Sequence, residues 1–425
     1  MISIPDTATL HPQVQTLPDG HSLFLFPSDS TPLMRIDLLH EAGSAYQPQL
    51  LCAAATEHLF TVASDDMDAA QVSEFMDYRG IIVEHSADVF ASRTTFYFLR
   101  RYFDQLLPVL QGLLRHPAFP QEDFDIWRRR KQYDLQERAM KTREVARRLY
   151  YQTLFGTDHP LGRHAEPVDA DRLMRDTVVS YFRERYAFGA DIVLSGSYDP
   201  QFCIDRLCPA FVPPLRNPSV MSGLPPATQT LAMPRTVCTA VPGAVQTSLR
   251  IGRILPLQWD DPEYAMLMLL TTILGGYFGS RLMGNLREDK GYTYGIYAHT
   301  QIYRGTIVFL IMSDVAGGIA KAAEDEVRKE LQRLCDSPVG DAELHTARQV
   351  VVGDFLRSVD GIFERAERFC NMHAARVDEH LTDNLRAALA AATPSLLQET
   401  ARRWLCPDQM LYCRAGTADD SEPAR

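Results

Sequence analysis

The sequence lacks the features that mark membrane-spanning, disulfide-rich or nucleic-acid-binding proteins. No apolar run reaches about 18 residues, the length that a membrane-spanning helix needs. Its eight cysteines form no Cys-x-x-Cys pair and are too sparse in 425 residues for a disulfide framework. The formal net charge of -11 leaves no surplus of lysine and arginine for phosphate contacts. We therefore expect no membrane segment and no nucleic-acid partner.

Targeting signals and the familiar catalytic signatures are also absent. The N-terminal stretch "MISIPDTATLHPQ" has neither a basic head nor an apolar run, so it does not resemble a signal peptide. We expect a cytoplasmic protein, or a periplasmic one if a signal peptide has been removed. The chain contains no Gly-x-Ser-x-Gly elbow, no Walker loop and no His-Glu-x-x-His motif. Serine-hydrolase, nucleotide-hydrolase and ordinary zincin activities are therefore disfavoured.

What is present is an ordinary globular composition, with 46% hydrophobic and 23% charged residues. A chain of this length usually forms about two domains. One local charge cluster, the run from Arg128 to Lys131, is interpreted as the solvated face of a helix.

The order of predicted elements is repeated along the chain. Residues 22–26 and 33–39 read as strands, helices follow at 50–63 and 70–79, and 80–99 reads as two further strands. A strand at 246–256, a helix at 261–274 and two strands within 280–313 repeat that plan. The Pro-rich, aperiodic stretch 209–234 separates the copies. We predict an α+β fold of two homologous domains, 1–208 and 235–425, each an antiparallel sheet covered by helices, joined by a linker at 209–234.

The stretch "AAATEHL", residues 53–59, raises the question of catalysis. Glu57 and His58 stand side by side, as in the inverted zinc-peptidase motif His-x-x-Glu-His. The first histidine of that motif would stand at Ala54, whose side chain offers no lone pair to a metal. The alternative interpretation is that Glu57 and His58 make only surface or capping hydrogen bonds.

Over most of its length the chain resembles the insulinase (pitrilysin) family of zinc peptidases, in particular its short two-domain bacterial members and the mitochondrial processing peptidase. Three segments carry the resemblance: "EAGSAYQPQLLCAAATEHLF", "LFGTDHPLGR" and "GGYFGSRLMGNLREDKGYTYGIYA". The last is the most specific, because residue types and spacings agree over some twenty positions.

The resemblance implies a zinc site that this sequence does not complete. In the family the third ligand is a carboxylate further along, and here the corresponding stretch offers Asp134 or Glu137. A catalytic zinc needs three protein ligands and an open position for water. Of the histidines nearby, at positions 40, 85, 159 and 164, none has ligand spacing to His58. We therefore expect no metal and no other cofactor in this chain.

A second family motif is intact. The resemblance implies that Arg287 and Tyr294 reach into a chamber and bind the substrate carbonyl near the zinc. A guanidinium and a phenol are both donors suited to a developing oxyanion. The alternative is that Arg287 pairs with Glu288 or Asp289 and that Tyr294 packs as a strand aromatic.

Family members of this size often work in pairs, one subunit carrying the zinc and the other the Arg/Tyr motif. The resemblance therefore implies a subunit that is inactive alone and binds a zinc-bearing insulinase-like partner, or a second copy of itself. Arg287 and Tyr294 would complete the partner's site, and the peptide substrate would add a strand to a sheet edge in the first domain. Two alternatives stay open: a structural core subunit without a peptidase role, and an atypical metallopeptidase active alone.

Overall fold

The computed structural model describes residues 4, 10–17, 20–29, 31–187, 189–210 and 233–420. Within them, the strands of the first half are β1 (Gln13–Thr16), β2 (Ser22–Pro27), β3 (Leu33–His40), β4 (Ile82–Ala87), β5 (Ser92–Leu99) and β6 (Asp191–Gly196). The helices of that half are α1 (Cys52–Leu59), α2 (Ala69–Arg79), α3 (Phe103–Arg115), α4 (Gln121–Ala139), α5 (Thr142–Phe155), α6 (Pro167–Arg172), α7 (Arg175–Arg185) and α8 (Pro200–Ala210).

The described residues of the second half contain the strands β7 (Arg235–Ala240), β8 (Gln246–Leu255), β9 (Thr293–Tyr303), β10 (Thr306–Ala316) and β11 (Leu411–Gly416). Its helices are α9 (Pro262–Thr271), α10 (Ala320–Asp336), α11 (Asp341–Arg357), α12 (Ile362–Ala375), α13 (His380–Ala391) and α14 (Pro394–Trp404). Two π-helical segments, Thr272–Gly276 and Met283–Asp289, lie between α9 and β9.

The two sheets have the same topology. The first has the order β1-β2-β6-β3-β5-β4 and the second β7-β11-β8-β10-β9. Apart from β1, the strands correspond one to one in these orders, so that β2 matches β7 and β6 matches β11. Strand β2 runs parallel to β6, and β7 runs parallel to β11. The predicted duplication and α+β class are confirmed, with mixed sheets in place of purely antiparallel ones.

Each sheet is covered on one face by helices of its own half. In the first half the inward side chains of the central strands pack against α2, α3 and α8. In the second half β8, β9 and β10 pack against α9, α10 and α14 in the same way. These helices present apolar residues at helical spacing, so each half buries a core of its own.

The opposite face of each sheet receives a helix from the other half. Helix α5 packs on β8 and β11, where Tyr150 donates a hydrogen bond to the Phe309 carbonyl at 2.7 Å. Gly252 permits this approach, because a Cβ there would lie 2.6 Å from the Tyr150 hydroxyl. Helix α12 packs on β2, β3 and β6 in return, burying Ala366 and Cys370. This exchange joins the two halves.

Ion pairs between buried arginines and partly exposed glutamates reinforce the contact between the halves. Arg304, 3% exposed, lies in the β9–β10 turn and donates to both carboxylate oxygens of Glu41, at 2.7 and 2.8 Å. Its Nε donates to the Ala374 carbonyl at 2.9 Å. A second set links the buried Arg35 and Asp37 of β3 to Glu367 of α12. Most of the predicted linker, residues 211–232, lies outside the described residues, and the predicted domain boundaries stay predictions.

Candidate functional site

Helix α1 carries the incomplete zinc motif. It begins after Leu51, which occupies the left-handed region at φ 71° and caps the helix with no side-chain hydrogen bond. A non-glycine residue in that region is uncommon. The helix lies against α7, β4 and α4, so each of its faces meets a different element. Which way a side chain points from α1 therefore decides whether it can take part in chemistry.

Ala54 is half-buried and His58 is exposed. The His58 ring makes an edge contact with His85 of β4, with centroids 5.1 Å apart. Nε2 of His85 lies 3.4 Å from the Thr61 hydroxyl. The fold thus brings His85 beside His58, although their spacing in sequence gave no sign of it.

Glu57 points away from solvent, into the first half. Its side chain is 1% exposed; one carboxylate oxygen accepts a short hydrogen bond from the Thr94 hydroxyl, and the other accepts one from Tyr186 at 2.9 Å. His85 Nδ1 is 3.7 Å from the first of these oxygens. Burial raises the pKa of Glu57, and the hydrogen bonds and His85 only partly oppose that rise. The alternative interpretation was wrong in one respect: the hydrogen bonds of Glu57 are buried, not at the surface.

His40 completes this buried polar cluster. Its ring is 2% exposed and stacks on Tyr186, with centroids 4.3 Å apart. Among the described residues, neither ring nitrogen has a hydrogen-bond partner. Burial and the nearby charge of His21 lower the pKa of His40 to about 3, so its imidazole is neutral at physiological pH.

The two candidates for the third ligand lie on α4 and are neutralised by neighbouring cations. Asp134 accepts from Lys131 at 3.1 Å and from Arg138 at 2.8 Å, and these partners lower its pKa despite partial burial. Glu137 is exposed and pairs with Lys141 at 3.6 Å. Neither carboxylate is free to accept a metal without giving up an ion pair.

The zinc ion that the resemblance implies does not fit these residues. Ala54 supplies no donor, Glu57 is held by two hydroxyl groups, and Asp134 is held by two cations. Within the part of the chain that the structure describes, no group of three His, Cys, Asp or Glu side chains could hold a metal ion. No catalytic step can be derived through a metal in this chain.

The Arg/Tyr motif lies in the second half, where a helical segment is followed by a strand. Arg287 belongs to the π-helical segment Met283–Asp289, and Tyr294 is the second residue of β9. The chain turns between them at Gly291, whose φ of 65° suits glycine. Tyr294 is 91% exposed, so it does not pack as a strand aromatic. Arg287 and Tyr294 thus lie at the end of a helical segment and at the start of a strand, with the turn at Gly291 between them.

The guanidinium of Arg287 is held loosely. It lies 4.6 Å from the centre of the Phe278 ring, and its Nε is 3.4 Å from a Glu288 oxygen. The expected ion pair with Glu288 thus exists, but both side chains are substantially exposed. Such a pair contributes little to stability. The donors of Arg287 and Tyr294 can therefore be offered to the oxygen of a bound molecule.

Hydrogen bonds to α10 hold the π-helical segment in place. The Asn285 amide donates to Glu330 at 2.8 Å and to Glu326 at 3.1 Å, both on α10. π-Helical turns are rare and are frequently found at functional sites. Two exposed aromatics, Phe278 and Tyr297, lie near the motif at 62% and 51% exposure. Phe278, Asn285 and Tyr297 all lie in the segment 275–298 that carries the resemblance, but the resemblance gives a role only to Arg287 and Tyr294.

Comparison with known proteins finds similarity to zinc proteases and to an inactive peptidase domain. The family model "Peptidase M16 inactive domain" matches residues 217–351. An uncharacterized zinc protease of Streptomyces coelicolor is 23% identical over 407 residues, covering 91% of this chain and 86% of that protein.

Solved structures share the whole fold. A peptidase M16 inactive domain from Pseudomonas fluorescens superposes with a TM-score of 0.81 at 18% identity, covering 97% of this chain and 100% of that one. A protease from Helicobacter pylori gives 0.83 at 16% identity, covering 96% and 100%. Within the described residues, no helix is long and apolar enough to cross a membrane.

Proposed function

We propose that the chain is an inactive member of the insulinase-like (M16) peptidase family and that it serves as the Arg/Tyr-bearing partner of a zinc-bearing peptidase subunit. It would hold a peptide substrate and present Arg287 and Tyr294 to the partner's active site. The zinc, the general base and the attacking water would belong to the partner. The partner is a different, zinc-bearing chain in this proposal, because a second copy of this one would bring no complete ligand set.

The contrast between the two halves carries the proposal. In the first half Glu57 is closed off by Thr94 and Tyr186, and no donor stands at Ala54. In the second half Arg287 and Tyr294 project from an anchored segment, and Tyr294 has 91% of its surface free. A preorganised donor aimed at a developing oxyanion contributes about 3 kcal/mol to the transition state. A binding role thus has residues available for it, whereas a hydrolytic role in this chain does not.

The substrate would bind as an extended strand along β4. This strand ends the first sheet and is paired on one side, with β5, among the described residues. Its outer backbone groups can pair with an extended peptide, which gives affinity without regard to side chains. The His58–His85 contact lies beside this edge.

The test is reconstitution with a zinc-bearing insulinase-like subunit, assayed on an unstructured peptide. Arg287→Ala and Tyr294→Phe should each lower kcat by roughly ten- to a thousand-fold, as expected for loss of an oxyanion donor. The purified chain should hydrolyse no peptide without its partner. Complex formation, measured by size-exclusion chromatography, should be unchanged.

Two neighbours provide matched controls. Lys290→Ala removes a cation from the same turn, and Tyr297→Phe removes a phenol from the same strand. Both should leave kcat within about twofold of wild type. If these controls lower activity as much as the Arg287 and Tyr294 variants, the motif has no special role. If the chain hydrolyses peptide alone and a chelator stops it, the proposal is wrong.

A further inference from the structure

A cavity of about 480 Å³ lies beside α1, on the side away from the Glu57 cluster, between α4, α5 and the segment 161–167. Five cationic side chains line it: Lys131, Arg138, Arg147, Arg148 and Arg163. We call this cavity, with its five cations, the basic groove.

The groove has a positive net charge, whereas the whole chain has a negative one. Glu144 and Glu166 are the carboxylates among its lining residues, against five cations, whereas the whole chain has a formal charge of -11. Lys131, the last residue of the basic run predicted as a solvated helix face, is 24% exposed and faces the cavity. That part of the prediction is corrected, since Lys131 is a lining residue. A concave wall of one sign attracts ligands of the opposite sign.

Ion pairs neutralise part of this charge but leave a surplus of cations. Lys131 and Arg138 share the carboxylate of Asp134, at 3.1 and 2.8 Å. Arg147 and Glu144 pair across one turn of α5 at 3.1 Å, with 56% of the arginine side chain exposed. Arg148 is 3.5 Å from Glu166, and both are largely exposed. Exposed pairs of this kind are worth about 1 kcal/mol or less, so an incoming carboxylate can compete for the same guanidinium groups.

The floor of the groove is apolar. Leu51, Leu135, Val145 and Leu161 line it. A ligand that suits both wall and floor carries carboxylates interspersed with apolar side chains, as an acidic peptide does. Tyr151 also lines the groove, but it is 8% exposed and its hydroxyl is bonded to Gln301 and Tyr303 of β9. It offers no free ring for base stacking, which disfavours a single-stranded nucleic acid.

The position of the groove connects it to a bound peptide. Leu51 immediately precedes α1, and the α4 stretch that forms one wall also carries Asp134. Helix α1 contacts β4, the strand edge where the substrate would lie. A peptide leaving that edge would need to cross only α1 to reach the cations.

We propose that the basic groove binds an acidic segment of the peptide that this chain holds, and so selects substrates with clustered Asp or Glu beside the cleaved region. This inference rests on the proposed function for the identity of the ligand as a substrate. The groove is a specificity element, distinct from the Arg/Tyr pair that contacts the scissile carbonyl.

The experiment measures binding to this chain alone, by fluorescence anisotropy of labelled peptides. Each peptide has about ten residues, which span roughly 33 Å when extended. One carries clustered Glu among Leu and Ala, the second has Gln at those positions and the third has Lys. The acidic peptide should bind at least about tenfold tighter than the Lys peptide, and this difference should shrink as salt rises.

Variants of both signs locate the site. Arg147→Gln and Arg148→Gln should each weaken acidic-peptide binding about two- to fivefold, whereas Glu144→Gln should tighten it by a similar factor. A misfolded variant would not bind more tightly, so the gain at Glu144 excludes loss of structure as the cause. Arg357→Gln is the matched control, since Arg357 is also exposed and paired across one helical turn, with Asp354.

Three results would overturn the proposal: equal binding of the acidic and Gln peptides, an equal effect of Arg357→Gln, or tighter binding of a single-stranded RNA oligonucleotide than of the acidic peptide. The test is separable from that of the proposed function, because it needs neither partner nor hydrolysis. If the chain prefers the acidic peptide but Arg287→Ala has no effect on a reconstituted pair, the proposal for the groove is supported and the Arg/Tyr role is rejected. If Arg287→Ala lowers the activity of the pair but the chain shows no preference for the acidic peptide, only the proposal for the groove is rejected.

Discussion

The buried carboxylate of Glu57 offers a sharp test of whether the first half retains catalytic chemistry. It is 1% exposed and accepts hydrogen bonds from Thr94 and Tyr186. A glutamine has nearly the same shape and can accept from one hydroxyl while donating to the other, because hydroxyl groups rotate. We therefore expect Glu57→Gln to preserve the network and to remove a charge that burial disfavours.

The sign of the pH dependence follows from the pKa. Burial raises the pKa of Glu57 in the folded chain. At low pH the carboxyl is protonated in both the folded and the unfolded chain, so it has no effect. As pH rises past the unfolded pKa, ionisation stabilises the unfolded chain but is resisted in the folded one. Wild type should thus lose stability relative to Glu57→Gln as pH rises from about 4, near the unfolded pKa, to neutral pH, with the variant the more stable at the higher pH.

Glu57→Ala sets the scale for the network itself. It leaves the buried hydroxyls of Thr94 and Tyr186 without their acceptor, at about 1–3 kcal/mol each, or about 2–6 kcal/mol together. Urea unfolding followed by circular dichroism at both pH values measures all three proteins, and the exposed Glu137→Gln is the control for charge removal. If Glu57→Gln is destabilised as much as Glu57→Ala at both pH values, the network needs the charge. If it abolishes activity of a reconstituted pair, Glu57 is catalytic and the active site has been assigned to the wrong half.

Two other predictions concern the join between the halves and the metal. Limited proteolysis should cut first within the predicted linker, 209–234, and the fragments should stay associated in gel filtration. In Arg304→Gln they should separate more readily, because the variant loses the charged hydrogen bonds to the half-buried Glu41, a loss of about 1.5–3 kcal/mol. Fragments of wild type that part at once would contradict the exchange of helices between halves. Ala54→His alone should bind no stoichiometric zinc by metal analysis after dialysis, since Asp134 stays paired with two cations; one tightly held zinc per chain would show that the third ligand is intact.

The spacing of apolar residues predicted most of the elements, because helices and strands that cover a core place apolar residues at the period of the element. The predicted helix 70–79 is α2 (Ala69–Arg79), and the predicted strand 246–256 is β8 (Gln246–Leu255). The strand β11 was not predicted. It is buried at all six positions, and such a pattern has no alternation by which to recognise a strand.

The exchange of α5 and α12 between the halves could not be predicted from the sequence. Their burial depends on contacts with strands far away in the chain, such as Tyr150 with Phe309, 159 residues apart. The same limit applied to Glu57, whose two partners lie 37 and 129 residues away. The spacing of a motif shows which residues share a helix, but not which of them faces the core. Surface hydrogen bonds were therefore expected of Glu57, whose side chain is buried.

The two halves share one topology but distribute their polar groups in opposite ways. In the first half, Glu57 is buried and its carboxylate accepts hydrogen bonds from Thr94 and Tyr186. The motif residue Glu57 therefore stabilises the fold. The second half keeps Arg287 at the end of a π-helical segment and Tyr294 almost wholly in water, where neither gains appreciably from folding. Asn285 nevertheless fixes that segment to two buried glutamates, Glu326 and Glu330. The segment is thus held in place although its exposed side chains add little to stability. This is expected if those side chains bind a molecule outside the chain. The difference between the halves therefore favours a binding surface in the second half.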